Sequence, residues 1–478
     1  MDARKSPARE SALSRRTFLK FTGAGAATAL LAACAAPTAQ PAAPSDAADG
    51  APASTDGQIS ISFWTPGGSQ IYCNGFGTIA ENYEALNPHI NIEDVQCGTG
   101  EQNFNEVLLA RIAAGNPPDC TILWTSPAAF GARNALIQLD ELMAGSQYSQ
   151  REAWPEGVLA SCIYEGRTYG LPVAAGTYAI YYNQELFEEH GISPEREDFP
   201  KTWDELRALS KEFTRWNGDT LEQVGFIPNP DQYELPVWSA LNGAQLYDAE
   251  SRQYLLDDEA NVAMMEYFIS WLDEEYQGDI QKVNISGNWG VYDDAQGRQP
   301  GFQEGKVAMT FNGFWVCGDM YNYEVQVERW NVAPNPVGPS GTTTTSGYWP
   351  NWLVVPVGSR HPEEAFNYLD YMSAEGIKVW FSNIADLPTN KNVPTDLYPT
   401  LTAEHRGDEF AQEVTNFFRG QLDIATPMWD SPVQDFANDQ IGRALEQIYN
   451  KAATPAAALA EAQAACQREL ENLLQQSA

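Results

Sequence analysis

The chain has 478 residues, 43% hydrophobic and 19% charged, enough for two large domains or three smaller ones around a substantial core. Its 28 basic and 64 acidic side chains leave a net charge of −36. Such a field repels phosphate backbones and anionic headgroups, so neither nucleic acid nor an anionic lipid surface is an expected partner.

Residues 1–33 read as an address. Arg4, Lys5, Arg9, Arg15, Arg16 and Lys20 face only Asp2 and Glu10, and an apolar run of small residues follows at 21–33. Thirteen residues rise about 20 Å as a helix, short of a bilayer span. A basic region ahead of a short apolar one is an export-signal pattern. Ser14-Arg15-Arg16-Thr17-Phe18-Leu19-Lys20 resembles a twin-arginine signal. Leu31-Ala32-Ala33-Cys34 resembles a bacterial lipobox, which makes Cys34 the expected lipid anchor. Residues 34–57 hold no aromatic or branched aliphatic side chain and are expected to be a flexible tether. The expected location is therefore outside the cell membrane, held by lipid. Six cysteines remain after Cys34, an even number in a compartment where disulfides persist. Cys73–Cys97 is the preferred bridge, tying a helix start to the end of the next strand. The pairing of Cys120, Cys162, Cys317 and Cys466 stays open.

From residue 58 strands and helices alternate. Ile59-Ser60-Ile61-Ser62-Phe63-Trp64 has the period of a strand, residues 75–86 place Phe76, Ile79, Tyr83 and Leu86 at helical spacing, and residues 89–95 alternate again. A helix at 104–114 and a short strand at 120–124 complete β-α-β-α-β, the pattern of a parallel sheet with helices on its faces. A strand is expected at 179–182 and a helix at 183–190. Thr202-Trp203-Asp204-Glu205 is a capping box that opens another helix. Strands are expected at 224–227, 307–311 and 352–357, and helices at 434–449 and 456–474.

Ligands of open α/β sheets bind outside the carboxyl ends of the strands. Here those ends carry Trp64-Thr65-Pro66-Gly67-Gly68, Trp124-Thr125 and Asn312-Gly313-Phe314-Trp315, with Trp238, Trp289, Tyr348, Trp349 and Trp429 in loop-like stretches. Any one of these rings also fits core packing. As a set, aromatic faces beside Asn, Gly and Thr suit a pyranose, which stacks its C–H face and hydrogen-bonds through its hydroxyls.

Eight pieces, in order, carry a family resemblance: Ile61-Ser62-Phe63-Trp64; Ile79-Ala80-Glu81-Asn82-Tyr83-Glu84-Ala85-Leu86-Asn87-Pro88; Ala113-Ala114-Gly115-Asn116-Pro117-Pro118-Asp119; Tyr169-Gly170-Leu171-Pro172; Tyr181-Tyr182-Asn183-Gln184-Glu185-Leu186-Phe187; Pro200-Lys201-Thr202-Trp203-Asp204-Glu205-Leu206; Phe302-Gln303-Glu304-Gly305-Lys306-Val307-Ala308-Met309; and Pro334-Asn335-Pro336-Val337-Gly338-Pro339. From residue 58 onward the chain resembles the extracellular sugar-binding proteins of ABC importers, the family that includes maltose-binding protein. The resemblance implies an α/β, periplasmic-binding-protein-like fold of two lobes with a hinge and an interlobe cleft. It implies a bacterial monomer that takes a carbohydrate, an oligosaccharide by expectation, to a membrane permease without catalysis or cofactor. The expected first lobe is 58–174 plus 302–358 and the second 175–301 plus 359–478, with crossings near 174–178, 300–302 and 358–362. First-lobe contacts would come from Trp64, Thr65, Gly68, Trp124, Thr125, Asn312, Gly313, Trp315, Gly347, Tyr348 and Trp349. Second-lobe contacts would come from Tyr178, Trp238, Asn242, Gly243, Trp289 and Trp429. Cys73, Cys97 and the bulk of Asn351-Trp352 stand outside the family pattern.

Enzyme readings have less behind them. A glycoside hydrolase needs two flanking carboxylates, and among 64 acids a pair is always available. Nucleophile-elbow, P-loop, H-E-x-x-H and EF-hand patterns are absent from the sequence. His89, His190, His361 and His405 are widely spaced, and Asp257-Asp258-Glu259 and Asp293-Asp294 read as solvated surface rather than a Ca²⁺ site. A non-sugar solute or a purely adhesive lipoprotein are the remaining alternatives.

Overall fold

β1 (Ile59–Thr65) enters the sheet with Ile61 and Phe63 fully buried, as its alternation predicts. The computed structural model describes residues 58–67, 70–97, 104–292, 297–322, 324–427 and 431–476. The expected signal, Cys34, the tether, Gly68, Asp293-Asp294 and Trp429 lie outside these residues. After β1 come α1 (Gln70–Leu86), β2 (Ile90–Cys97), α2 (Phe104–Ala113) and β3 (Cys120–Leu123). β1 pairs in parallel with both β2 and β3, the outcome of a β-α-β-α-β pattern. Cys73 of α1 and Cys97 of β2 form a disulfide, while Cys120, Cys162, Cys317 and Cys466 are buried free thiols.

The chain continues through the 13-residue β4 (Leu171–Asn183), then α3 (Trp203–Phe213), α4 (Leu235–Leu241), α5 (Glu259–Glu275), β5 (Met309–Gly313), β6 (Trp330–Ala333) and β7 (Ser346–Val354). α3 opens on the expected capping box. Thr202 Oγ1 accepts from the Glu205 amide, and Glu205 returns the bond to the Thr202 amide. α6 (Pro362–Tyr371) runs through a π turn into α7 (Ile377–Ile384), followed by β8 (Leu387–Pro388), α8 (Asp408–Leu422), β9 (Ala425–Pro427), α9 (Gln434–Tyr449) and α10 (Pro455–Gln476). The expected strand at 224–227 is reduced to a single bridge, Val224 to Val307. The strands expected at 307–311 and 352–357 lie at Met309–Gly313 and Ser346–Val354.

One sheet runs in the order β5-β4-β7-β3-β1-β2, with β6 and β8 also on β4 and β9 on β7. Two separate hydrophobic cores lie along it. The first gathers Ile61, Phe63, Phe76, Leu108, Ile122, Leu171, Trp352, Phe366 and Trp380. The second gathers Tyr181, Trp203, Trp238, Trp271, Phe302, Met309, Trp330, Phe418 and Leu459. β4 belongs to both: Leu171, Val173 and Ala174 pack in the first core, and residues from Tyr178 to Tyr182 in the second. β7 runs antiparallel to it, from Tyr348 opposite Thr177 to Leu353 opposite Leu171. The cores thus sort the chain differently from the expected boundaries. Residues from Phe302 to Ala333 pack in the second core, and residues from Ala365 to Trp380 in the first. The expected crossings at 300–302 and 358–362 follow Pro and Gly breaks. The chain changes core within β4, at the expected 174–178 crossing, along β7, and again around residues 380–387.

Candidate functional site

The strand ends of the first core supply one side of the site. Trp64 is buried with the Arg111 guanidinium 5.1 Å from its ring centre, and Thr65 beside it is buried. Trp124, just beyond β3, is half-buried and donates its Nε1–H to Asn351 Oδ1 at 2.8 Å. Asn351 stands at a register shift between β7 and β4, and such irregularities re-aim a side chain. Its Nδ2 donates to Asp386 Oδ2 at 3.1 Å, and Trp380 Nε1 donates to the same oxygen at 3.0 Å. Asp386, 4% exposed, has its pKa pushed up to about 7, chiefly by burial and further by Asp319, with the Trp380 and Asn351 donors opposing. Tyr72 of α1 packs edge-on to Trp380, and burial followed by the Asp386 charge pushes its hydroxyl up.

The crossing strand carries the next layer. Trp315, after β5, lays its benzo edge against the backbones of Gly176 and Gly313 on one face of the sheet. It meets Tyr178 edge-on at 5.2 Å, Tyr178 stacks on Phe311 at 4.9 Å, and Phe311 leads at 4.9 Å to Trp238. Tyr292 is 37% exposed, yet its hydroxyl is buried enough to be pushed well up, with Asp319 adding to the effect.

The second core presents a further aromatic edge. Tyr233 is 39% exposed and meets Trp349 edge-on at 5.4 Å. Asp231 accepts from the amides of Tyr233 and Glu234 at 2.7 and 2.8 Å. Burial raises the carboxyls of both Asp231 and Glu234, and Asp231 raises Glu234 further. Contacts also span the two cores. Asp435 of α9 accepts from Thr125 Oγ1 at 3.0 Å and Asn105 Nδ2 at 3.1 Å, and Arg133 Nη1 reaches the Pro432 carbonyl at 3.4 Å. Burial raises the Asp435 carboxyl, opposed by Thr125, Arg133 and Asn105.

Of the expected contacts, Trp64, Thr65, Trp124, Thr125, Tyr178, Gly313, Trp315 and Trp349 fall in this region. Tyr348 is 6% exposed, Gly347 pairs with Thr426, and Asn312 Oδ1 accepts from the Gly313 amide. Four others have scaffold work instead. Trp238 is enclosed by Trp203, Phe226, Phe268 and Phe311. Trp289 donates to the Val283 carbonyl and lies against Gly287. Asn242 donates to the Ala260 carbonyl and accepts from the Ser340 amide, and Gly243 takes the positive φ that ends α4. Tyr233, Tyr292 and Asp386 were not singled out by the sequence, and Asn351 only as a departure from the family pattern. A search centred on Trp at strand ends passes over tyrosines, and neither Asn351 nor Asp386 belongs to a polar pattern. A separate cavity of about 340 Å³ between α5 and residues 339–340 shares none of these side chains except Asn242. Among the described residues no group of three His, Cys, Asp or Glu is placed to hold a metal ion.

Residues 75–379 match the family described as bacterial extracellular solute-binding protein. The chain belongs to that family. An arabinooligosaccharide-binding protein of Bacillus subtilis is 23% identical over 84% of this chain and 90% of its own length. Among solved structures, a mannotriose-bound CpMnBP1 superposes with a TM-score of 0.71 at 21% identity, over 86% of this chain and all of that one. The maltotriose-bound maltose/maltodextrin-binding domain of Bdellovibrio bacteriovorus gives 0.67 at 17% identity, over 86% and 100%. These neighbours share the two-lobed α/β fold. No helix among the described residues is long and apolar enough to cross a membrane.

Proposed function

We propose that this protein captures a neutral oligosaccharide between its two lobes and delivers it to an ABC permease. The observation that carries the reading is the pairing of open aromatic faces with buried carboxyls. Tyr233 and Tyr292 are more than a third exposed, and Asp231 and Glu234 stand beside Tyr233. Rings stack on the C–H face of a sugar, and carboxylates accept strong hydrogen bonds from its hydroxyls. Trp124, Trp315 and Trp349 add further faces, and Gly68 and Trp429 are retained as contacts. A relative named for arabinooligosaccharides and structural neighbours bound to maltotriose and mannotriose favour the same ligand class. Closure of the lobes over the sugar would give the permease a state to read. The acidic surface disfavours anionic solutes.

The test is a thermal-shift and calorimetric panel of maltotriose, mannotriose and arabinotriose, with glutamate and spermidine as non-sugar solutes. A ligand at 100 times its Kd stabilises by about 2.7 kcal/mol. Stabilisation by spermidine alone would overturn the sugar reading, and hydrolysis of a bound trisaccharide would replace the transport role by an enzymatic one. Membrane attachment rests on Cys34. Cys34→Ser is expected to release the protein from membranes, and a variant that still sediments with them in high salt removes the anchor from the proposal.

A further inference from the structure

We propose that Asp386 is a positioning residue of the cleft: through Asn351 it fixes the indole of Trp124, and its charge sets how tightly ligand is held. The proposal rests on Trp124 being a ligand contact only in its second half; the first half concerns the unliganded protein.

The argument is one of hydrogen-bond polarity. An indole N–H only donates, and an ionised carboxylate only accepts. Asn351 lies between one of each, with Trp124 Nε1 at 2.8 Å from its Oδ1 and Asp386 Oδ2 at 3.1 Å from its Nδ2. A single amide orientation satisfies both neighbours. Trp380, a second pure donor, reaches the same Asp386 oxygen at 3.0 Å. A protonated Asp386 acquires an O–H and can bond to either face of the amide. The amide is then free to turn, and when it does, Trp124 faces an NH₂ and keeps only the Tyr72 hydroxyl as an acceptor. Two donors facing each other repel, so the indole shifts toward Tyr72.

The setting keeps this switch near neutrality. Asp386 is 4% exposed. The groups around it are Asp319 from the turn after Trp315, the Tyr72 and Tyr292 hydroxyls, and the two neutral donors Asn351 and Trp380. None of them is a cation. Burial and the Asp319 charge both favour the neutral acid, and its pKa stands at about 7. On its other side, the position of a Gly176 Cβ lies 3.5 Å from Asp386 Oδ1 and 2.4 Å from the Trp315 ring. The switch therefore sits beside the strand that joins the two cores.

The sign follows from the ionised form being the one that holds Trp124. With a pKa of about 7, roughly a tenth of the molecules are competent at pH 6 and nine-tenths at pH 8, so apparent affinity falls about tenfold between them. The experiment has two arms. In the first, the indole Nε1–H resonance of Trp124, assigned with Trp124→Phe, is followed in unliganded protein from pH 5.5 to 8.5. A shift with a midpoint near 7 that disappears in Asp386→Asn is expected. No shift, or one retained in Asp386→Asn, overturns the proposal. Should that variant not fold, Asn351→Leu cuts the relay with the acid in place, and a Trp124 signal that still titrates in it overturns the proposal equally. In the second arm, affinity for whichever of maltotriose and mannotriose binds at pH 8 is measured at pH 6. A tenfold loss that flattens in Asp386→Asn is expected, and an unchanged profile in the variant refutes the link to binding. If neither sugar binds, the ligand assignment fails while the resonance still decides the positioning role.

Discussion

Replacing Gly176 by alanine puts a methyl group where the Trp315 indole already lies. The new Cβ would stand 2.4 Å from both Cε3 and Cζ3, whereas carbon atoms in contact settle at about 3.5–4.0 Å. The indole must withdraw by about 1 Å from a sheet face on which it also lies over Gly313, where a Cβ would stand 2.2 Å from the same ring. Overpacking of this kind costs about 1–3 kcal/mol. The edge contact of Trp315 with Tyr178 at 5.2 Å is disturbed as well, a loss of about 0.5–1.5 kcal/mol. Against these, Gly→Ala restricts the unfolded chain, a gain of about 0.4–1 kcal/mol. The net expectation is a loss of about 0.5–4 kcal/mol. In a folded unit of this length 1 kcal/mol moves the melting temperature by only about 1 °C, so urea unfolding is the sharper assay, with near-ultraviolet circular dichroism reporting the indole. Gly420→Ala is the control. It lies exposed in α8 with nothing within 4 Å of its Cβ position, so it should stabilise by about 0.4–1 kcal/mol. A Gly176→Ala protein as stable as the wild type, with an unchanged aromatic spectrum, refutes the packing argument.

Removing the Cys73–Cys97 bridge, which closes a separation of 24 residues, is expected to cost about 3.4 kcal/mol on the chain-entropy account, read from urea midpoints of the double Ser variant. Tyr233→Ala and Trp349→Ala should each weaken sugar binding about tenfold or more, by analogy with stacking contacts worth about 1–3 kcal/mol. Trp203→Ala, buried and bonded to the Pro336 carbonyl, should instead lower stability by about 3–5 kcal/mol and leave the affinity of the folded protein unchanged. Asp119 supplies an acid-dependent term. Burial alone would raise its pKa, but donors from Ser62 and Arg360 hold it below the ordinary carboxylate value. Its stabilisation is therefore present above the unfolded value of about 3.9 and is lost as pH falls through the lower folded value. Asp119→Asn should flatten that part of the acid-unfolding curve, and an unchanged curve contradicts the assignment.

What the sequence determined by itself is local or short-range. Period-two alternation in β1, the capping box of α3 and the amphipathic α9 depend on neighbours within a few residues, and each lies where the pattern places it. The Cys73–Cys97 bridge was legible for the same reason, since a helix start and the end of the following parallel strand are brought together by one β-α-β unit. The tertiary structure alone decided which Trp is open and which is core. Trp238 and Trp124 look alike in sequence, but one is ringed by four aromatic neighbours and the other ends at Asn351. The passage of β4 between the cores lies where the sequence placed a crossing, near 174–178, whereas the tertiary structure alone decided that β7 makes another in mid-strand, through Pro350 and Asn351. And it alone joined Trp124, Asn351 and Asp386, separated by 227 and 35 positions, because the polarity of a hydrogen bond acts between groups that only the fold brings to 2.8 and 3.1 Å of one another.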